Sequence, residues 1–178
     1  TAAHSTLYLN DTSSCIFQKN NTINKIYGNS LIKKHKIVDK NYLENKDFYL
    51  LSASHNGYEK KFGYIHTRSV KILKKEDKIL GWDQLKKTRN YSNSVSYSVR
   101  FHIYPNIKIV KTKGGNSILI SLSNGEGWLL QSNTNNFEIE KNIFLGNKNK
   151  IMNNESVSIS GNTSETVTLI EWTIERVT

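Results

Sequence analysis

Cysteine is nearly missing from this sequence: its 178 residues hold one, Cys15, with a single proline and a single methionine. One thiol excludes an internal disulfide framework and any metal site built from several cysteines. No base stands at a motif spacing from it, so Cys15 reads as a small half-buried residue and not as a nucleophile. One proline and ten glycines exclude a linker or a collagen-like chain. No apolar run approaches the ~18–20 residues that span a bilayer, and no membrane span is expected. No internal repeat is visible, which argues against a propeller or a β-helix. The five histidines form no HxH, HExxH or HxxxH pair, so the chain carries no self-contained zinc motif. A signal peptide is missing too, as expected of a sequence that opens within a strand.

Positive charge, by contrast, is plentiful. Lys and Arg number 25 against 15 Asp and Glu, a formal net charge of +10. Such a balance attracts anionic partners: nucleic acid, a membrane surface or an acidic polysaccharide. Lysine abundant beside Asn and Ile also fits an AT-rich genome and a solvated surface, and that plainer reading is preferred. The pairs Lys60-Lys61, Lys74-Lys75 and Lys86-Lys87 fall at turns without interleaved aromatics, so nucleic acid is not the expected partner. Aromatic residues make up 10%, half of them Tyr, which suits the pleat of a sheet. Regularly spaced apolar residues argue against disorder, and the length suits one domain, residues 1–178, with a sizeable core.

Alternation then places the strands. Residues 6–9 read as a short strand, and 10–47 give little signal beyond one strand at 32–38 and a solvent loop from Asn20 to Asn24. From Phe48 the pattern sharpens: a strand at 48–55, a hairpin-type turn at Asn56-Gly57, then strands at 64–72 and 79–83 and a polar loop at 84–95. In 97–104, Val99, Phe101 and Ile103 face one way and Ser98, Arg100, His102 and Tyr104 the other, until Pro105 ends the strand. Strands follow at 107–110, 117–122, 127–131, 137–145, 156–160 and 165–177, separated by Gly-Gly, Asn-Gly and Asn-rich turns. Short strands, turn residues between them and no convincing amphipathic helix predict an all-β fold, an antiparallel β-sandwich.

Several short motifs recur in a fixed order. The chain opens Ala2-Ala3-His4-Ser5-Thr6-Leu7, and later carries Ser54-His55-Asn56-Gly57-Tyr58, then Gly63 with His66 and Arg68. Further on come Leu80-Gly81-Trp82-Asp83-Gln84-Leu85, Arg100-Phe101-His102-Ile103-Tyr104-Pro105, Asn124-Gly125-Glu126-Gly127-Trp128 and a closing Trp172. Singly these are weak; together and in register they resemble the C-terminal half of heparinase II/III-like polysaccharide lyases. The departures are Asn56 where the family has Asp, Trp82 where Glu is common, and Tyr104 where His is common.

The resemblance implies more than the residues do. It implies a C-terminal β-sandwich of a larger lyase whose N-terminal α/α toroid is absent here. Such lyases cleave uronic-acid-containing acidic polysaccharides, glycosaminoglycans among them, by β-elimination. The uronate carboxylate is neutralised, a base takes the C5 proton and an acid protonates the leaving oxygen. Relatives draw those groups from the toroid and from an upstream sandwich histidine, so no catalytic residue is expected in this chain and the fragment alone should be inactive. What carries over is His4, as one of three zinc ligands in a structural site whose other members lie upstream. One imidazole cannot hold zinc tightly, so the site is incomplete. A bacterial periplasm or cell envelope is the compartment the resemblance implies.

For His55, His66, Arg68, Arg100 and His102 the resemblance supplies recurrence without a role. Arg68, Arg100 and His102 have two readings: pairing with anionic sugar, or buried hydrogen bonds to loops and strands, and the second is preferred. Asn56 leaves any acid function at its turn in doubt. Trp82, Trp128 and Trp172 likewise suit sugar stacking or packing, with packing preferred. A rival to the lyase reading is a non-catalytic carbohydrate-binding or structural sandwich.

Overall fold

The computed structural model describes residues 4–18, 22, 25–26, 31–89, 94–147, 150–164 and 166–177. Most of them belong to antiparallel sheets. In chain order the elements are β1 (Leu7–Leu9), β2 (Ile16–Phe17), β3 (Leu31–Lys33), β4 (Ile37–Glu44), β5 (Phe48–His55), the helical turn α1 (Glu59–Phe62), β6 (Tyr64–Leu73) and β7 (Lys78–Lys87). Then follow β8 (Ser96–His102), β9 (Lys108–Lys111), β10 (Ser117–Ser121), β11 (Gly127–Ser132), β12 (Phe137–Asn147), β13 (Lys150–Asn162) and β14 (Val167–Arg176). A four-stranded sheet, β1-β8-β13-β12, packs on an eight-stranded sheet, β4-β5-β6-β7-β14-β11-β10-β9, with β2-β3 as a separate ribbon.

The period of two decides what goes inside. On β14, Thr168, Ile170 and Trp172 are buried while Val167, Leu169 and Glu171 are exposed. Leu7, Leu9, Val99, Val157, Ile159 and Phe137 from the smaller sheet meet Leu85, Ile118, Leu130, Ile170 and Trp172 from the larger. Across the sandwich Phe101 meets Trp172 edge to face, with ring centroids 5.0 Å apart. Room for the Trp172 indole comes from its strand neighbour: Gly81 lies opposite it in register, and a Cβ there would sit 2.1 Å from the ring.

The antiparallel sandwich agrees with the alternation, and five local expectations need correction. The single strand at 32–38 is two, β3 and β4, and β4 runs on to Glu44. Every residue of β4 is exposed, so no buried face imposes a period on its sequence. Asn56-Gly57 is not a two-residue hairpin: β5 and β6 pair up to His55 and His66, and α1 fills the connection. The polar stretch at 84–95 opens as strand, because Leu85 is buried in β7 while its neighbour Lys86 reaches outward. β8 stops at His102 rather than Tyr104, where Pro105 turns the chain away. β13 begins at Lys150, paired with β12 well beyond the core. The loop read at Asn20 to Asn24 lies, Thr22 apart, outside the described residues.

Candidate functional site

The β6–β7 hairpin folds about the turn at 74–77, and its register sets Arg68 directly opposite Asp83. Asp83 has no solvent exposure. A carboxylate so buried must have its lone pairs satisfied, and four donors do this. His66 Nε2 donates to Oδ1 at 2.7 Å and Arg68 Nε to the same oxygen at 2.8 Å. Arg68 Nη2 donates to Oδ2 at 2.8 Å and Trp172 Nε1 to Oδ2 at 3.0 Å. The guanidinium thus grips both oxygens and lies 5.8 Å from the Trp172 ring centroid. Burial, the largest single influence, pushes the Asp83 pKa up, but the His66 hydrogen bond with the charge and hydrogen bonds of Arg68 outweighs it. The carboxyl is held below its ordinary range.

Behind Asp83 runs a line of imidazoles. His66 Nδ1 lies 3.0 Å from His55 Nε2, and the Gly57 N–H donates to His55 Nδ1 at 3.1 Å. That amide leaves His55 Nδ1 without a proton, so the neutral ring carries its proton on Nε2 and donates it to His66 Nδ1. His66 then donates from Nε2 to Asp83, and the donor sense is consistent along the whole line. Desolvation, helped by repulsion from His66 and then His35, lowers the His55 pKa to about 3. The line reaches outward through His35, whose ring lies 4.7 Å from His55 and whose Nδ1 is 3.1 Å from Cys15 Sγ. Asn56 closes the same corner, accepting from the Lys36 N–H at 2.8 Å and donating its own N–H to the Lys36 carbonyl.

This cluster holds the segment that carries His4. Arg68 Nη1 donates to the Ser5 carbonyl. The His102 N–H donates to Ser5 Oγ at 2.9 Å, the Arg100 N–H to the Thr6 carbonyl at 3.0 Å, and Tyr58 Oη to the Leu7 carbonyl at 3.0 Å. Three motifs distant in sequence therefore converge on one short strap. His4 itself is exposed at a bend, its carbonyl accepting from the Thr6 N–H at 2.9 Å.

Of the residues singled out in the sequence, His55, His66 and Arg68 share one network, and His102 meets it at Ser5. The Arg100 N–H also holds the strap, but its side chain lies apart, on the face of β8 turned away from Val99. Its Nη2 donates to Tyr8 Oη at 2.9 Å and to Glu140 Oε2 at 2.7 Å, and its guanidinium lies 5.0 Å from the Tyr8 ring. Asp83, the hub, is not among the candidate residues that the sequence singles out. Its signal was the hairpin register, which places the only acid of that strand opposite an arginine. Trp172 is packed and bonded inside as expected, while Trp82 and Trp128 are partly exposed.

The chemistry open to the network follows from its commitments. Both ring nitrogens of His55 and all three guanidinium nitrogens of Arg68 already face protein partners, so the cluster can hold neighbouring segments in place. Among the described residues no group of three His, Cys, Asp or Glu could hold a metal ion. His4 therefore does not fit a zinc site with this chain's described residues alone; a complete site needs ligands from outside them.

The family described as "Heparinase II/III-like, C-terminal" matches residues 1–173. Among solved structures the chain is similar to heparan sulfate lyase HepC from Pedobacter heparinus, with a TM-score of 0.71, 15% identity, and coverage of 98% of this chain and 24% of that one. A heparinase III gene product gives 0.70 at 13% identity, covering 98% and 24%, and a further heparinase III gives 0.66 at 14%, covering 98% and 23%. This chain thus spans about a quarter of the length of those proteins. No curated protein matches it.

Proposed function

The chain belongs to the heparinase II/III-like C-terminal family, and from that premise we propose that it is the sandwich part of a polysaccharide lyase that cleaves uronic-acid-containing acidic polysaccharides by β-elimination. The observation that supports this best is the strap at His4–Thr6, held by Arg68 of β6 and by Arg100 and His102 of β8. An exposed imidazole on a braced segment is what a shared supporting site requires. The work divides between two parts of the protein. An N-terminal α/α toroid, with a sandwich histidine preceding this chain, supplies the uronate neutraliser, the base for the C5 proton and the acid for the leaving oxygen. The residues described here fix the wall against which those groups are aligned.

His4 is assigned as one zinc ligand, with the remaining ligands outside this chain. Zinc would there act as a structural crosslink of the wall and not as a Lewis acid. Asp83 supports that role indirectly: it fixes Arg68, Arg68 fixes the Ser5 carbonyl, and Ser5 adjoins His4. The bacterial periplasm or cell envelope, where such polymers are met, is the proposed compartment. The test is the full-length protein incubated with uronic-acid polymers, read by the ultraviolet absorbance of the unsaturated product. Absorbance that rises supports the lyase; glycan binding without product overturns it in favour of a binding module.

A further inference from the structure

Unequal strand lengths open a groove on the four-stranded sheet. β8 ends at His102 and the chain departs through Pro105 and Asn106, the latter at φ 68°, while β12 and β13 stay paired down to Phe144 and Met152. Beside β13 this leaves a groove of 460 Å³, walled by Tyr104, Asn106, Lys141, Asn142, Asn153 and Glu155. Lys141 and Glu155 are cross-strand partners, so their charges offset each other. On a chain of net charge +10 the groove is a neutral patch rich in amides. Asn154 lies at its base, 8% exposed. Its Nδ2 donates to the Ile103 carbonyl at 2.8 Å, and its buried Oδ1 has no partner among the described residues.

One wall of the groove is an aromatic ring that is both exposed and braced. Tyr104 is 60% exposed. Its ring meets Phe144 at 5.1 Å, with the planes 67° apart. Phe144 in turn lies over Gly146, where a Cβ would come 2.3 Å from the end of the ring. Glycine at that position lets Phe144 lie down, and Phe144 holds Tyr104 upright. An exposed aromatic with this much support is a prepared surface, since no burial of its own accounts for its position. A flat ring takes the C–H face of a pyranose, and primary amides both donate to and accept from hydroxyl and acetamido groups.

We propose that the Tyr104 groove is a binding site for a neutral pyranose residue of a glycan, with Tyr104 as stacking platform and the amides of Asn106 and Asn153 as hydrogen-bond partners, while Asn142 shapes the wall, its amide held by Ser156 and the Ile143 N–H. The site goes beyond the lyase reading and concerns binding alone, so either can fail without the other. The sugar is a hydroxyl- or acetamido-bearing one, because a sulfate placed beside the Lys141–Glu155 pair meets an acid as near as the base.

Calorimetric titration of the protein with an N-acetylglucosamine trisaccharide, against a sulfated tetrasaccharide of the heparin type, tests this. Saturable binding of the neutral sugar is expected, unchanged when salt rises from about 0.05 to 0.5 M. Tyr104→Ala should weaken it about tenfold, and Tyr104→Phe, which keeps the stacking face, by less than about twofold. Gly146→Ala should also weaken it several-fold by displacing Phe144, although every groove side chain remains; unfolding curves confirm that each variant is folded. No heat with the neutral sugar, full binding by Tyr104→Ala, or binding of the sulfated sugar alone with loss in salt would each overturn the proposal.

Discussion

Arg68 and Asp83 face each other across β6 and β7, and the guanidinium closes on both oxygens of a carboxylate that no solvent reaches. The pair joins the sandwich interior to the strap bearing His4, because the remaining Arg68 nitrogen holds the Ser5 carbonyl.

Removing one member of such a pair leaves the other charge buried. Asp83→Asn should therefore lower unfolding stability by about 3–5 kcal/mol, a loss typical of a broken buried ion pair. Urea unfolding followed by tryptophan fluorescence reads it directly. A change below about 1 kcal/mol, the range of exposed pairs, would show that Asp83 is not the hub.

His55 makes stability depend on pH. Its folded pKa is lowered to about 3, against about 6.5 in an unfolded chain. Between those values the unfolded state binds the proton and the folded state does not, so stability falls as pH drops from about 6.5 towards 3, by up to ~1.4 kcal/mol per pH unit. The depressed Asp83 acts lower: its contribution is present above its ordinary value and is lost as pH falls through the folded one. In His55→Gln the slope between about pH 6.5 and 4 should flatten by as much as one proton. An unchanged slope in unfolding curves at stepped pH would remove His55 from the account.

Gly81 is required by its neighbour. A Cβ there would fall 2.1 Å from the Trp172 ring, and Gly81→Ala should cost about 1–3 kcal/mol as an overpacking change. The displaced indole would also lengthen its bond to Asp83, so a shifted tryptophan emission should accompany the lower melting temperature. Wild-type stability in this variant would contradict the close approach.

His4 is exposed, and its loss should leave the sandwich folded. His4→Ala is expected to change unfolding stability of this chain by less than about 0.5 kcal/mol, as surface substitutions do. In the full-length protein the same change should remove bound zinc, measured by metal analysis. Zinc retained at full occupancy would show that His4 is not a ligand.

How far these features could be read in advance depended on burial. β5 was legible residue for residue, Phe48–His55, since an apolar, aromatic-rich run leads directly into the turn residues Asn56-Gly57. β4 was not, because a strand exposed along its whole length has no inner face to impose a period. The imidazole line was visible only as five scattered histidines; its order depends on β5 and β6 pairing His55 with His66. Asp83 stands between Trp82 and Gln84, and nothing local in the sequence marks an acid as buried. Its role is set by the strand across from it.

The lyase reading stands or falls on one assay. The full-length protein, with His4 intact and as His4→Ala, would be incubated with a panel of uronic-acid polysaccharides while the absorbance of the unsaturated uronate product is followed. Product from the intact protein on at least one polymer, with zinc and rate lost together in the variant, is the expected result. No product on any polymer, with glycan binding retained, would contradict it and leave the sandwich as a binding module.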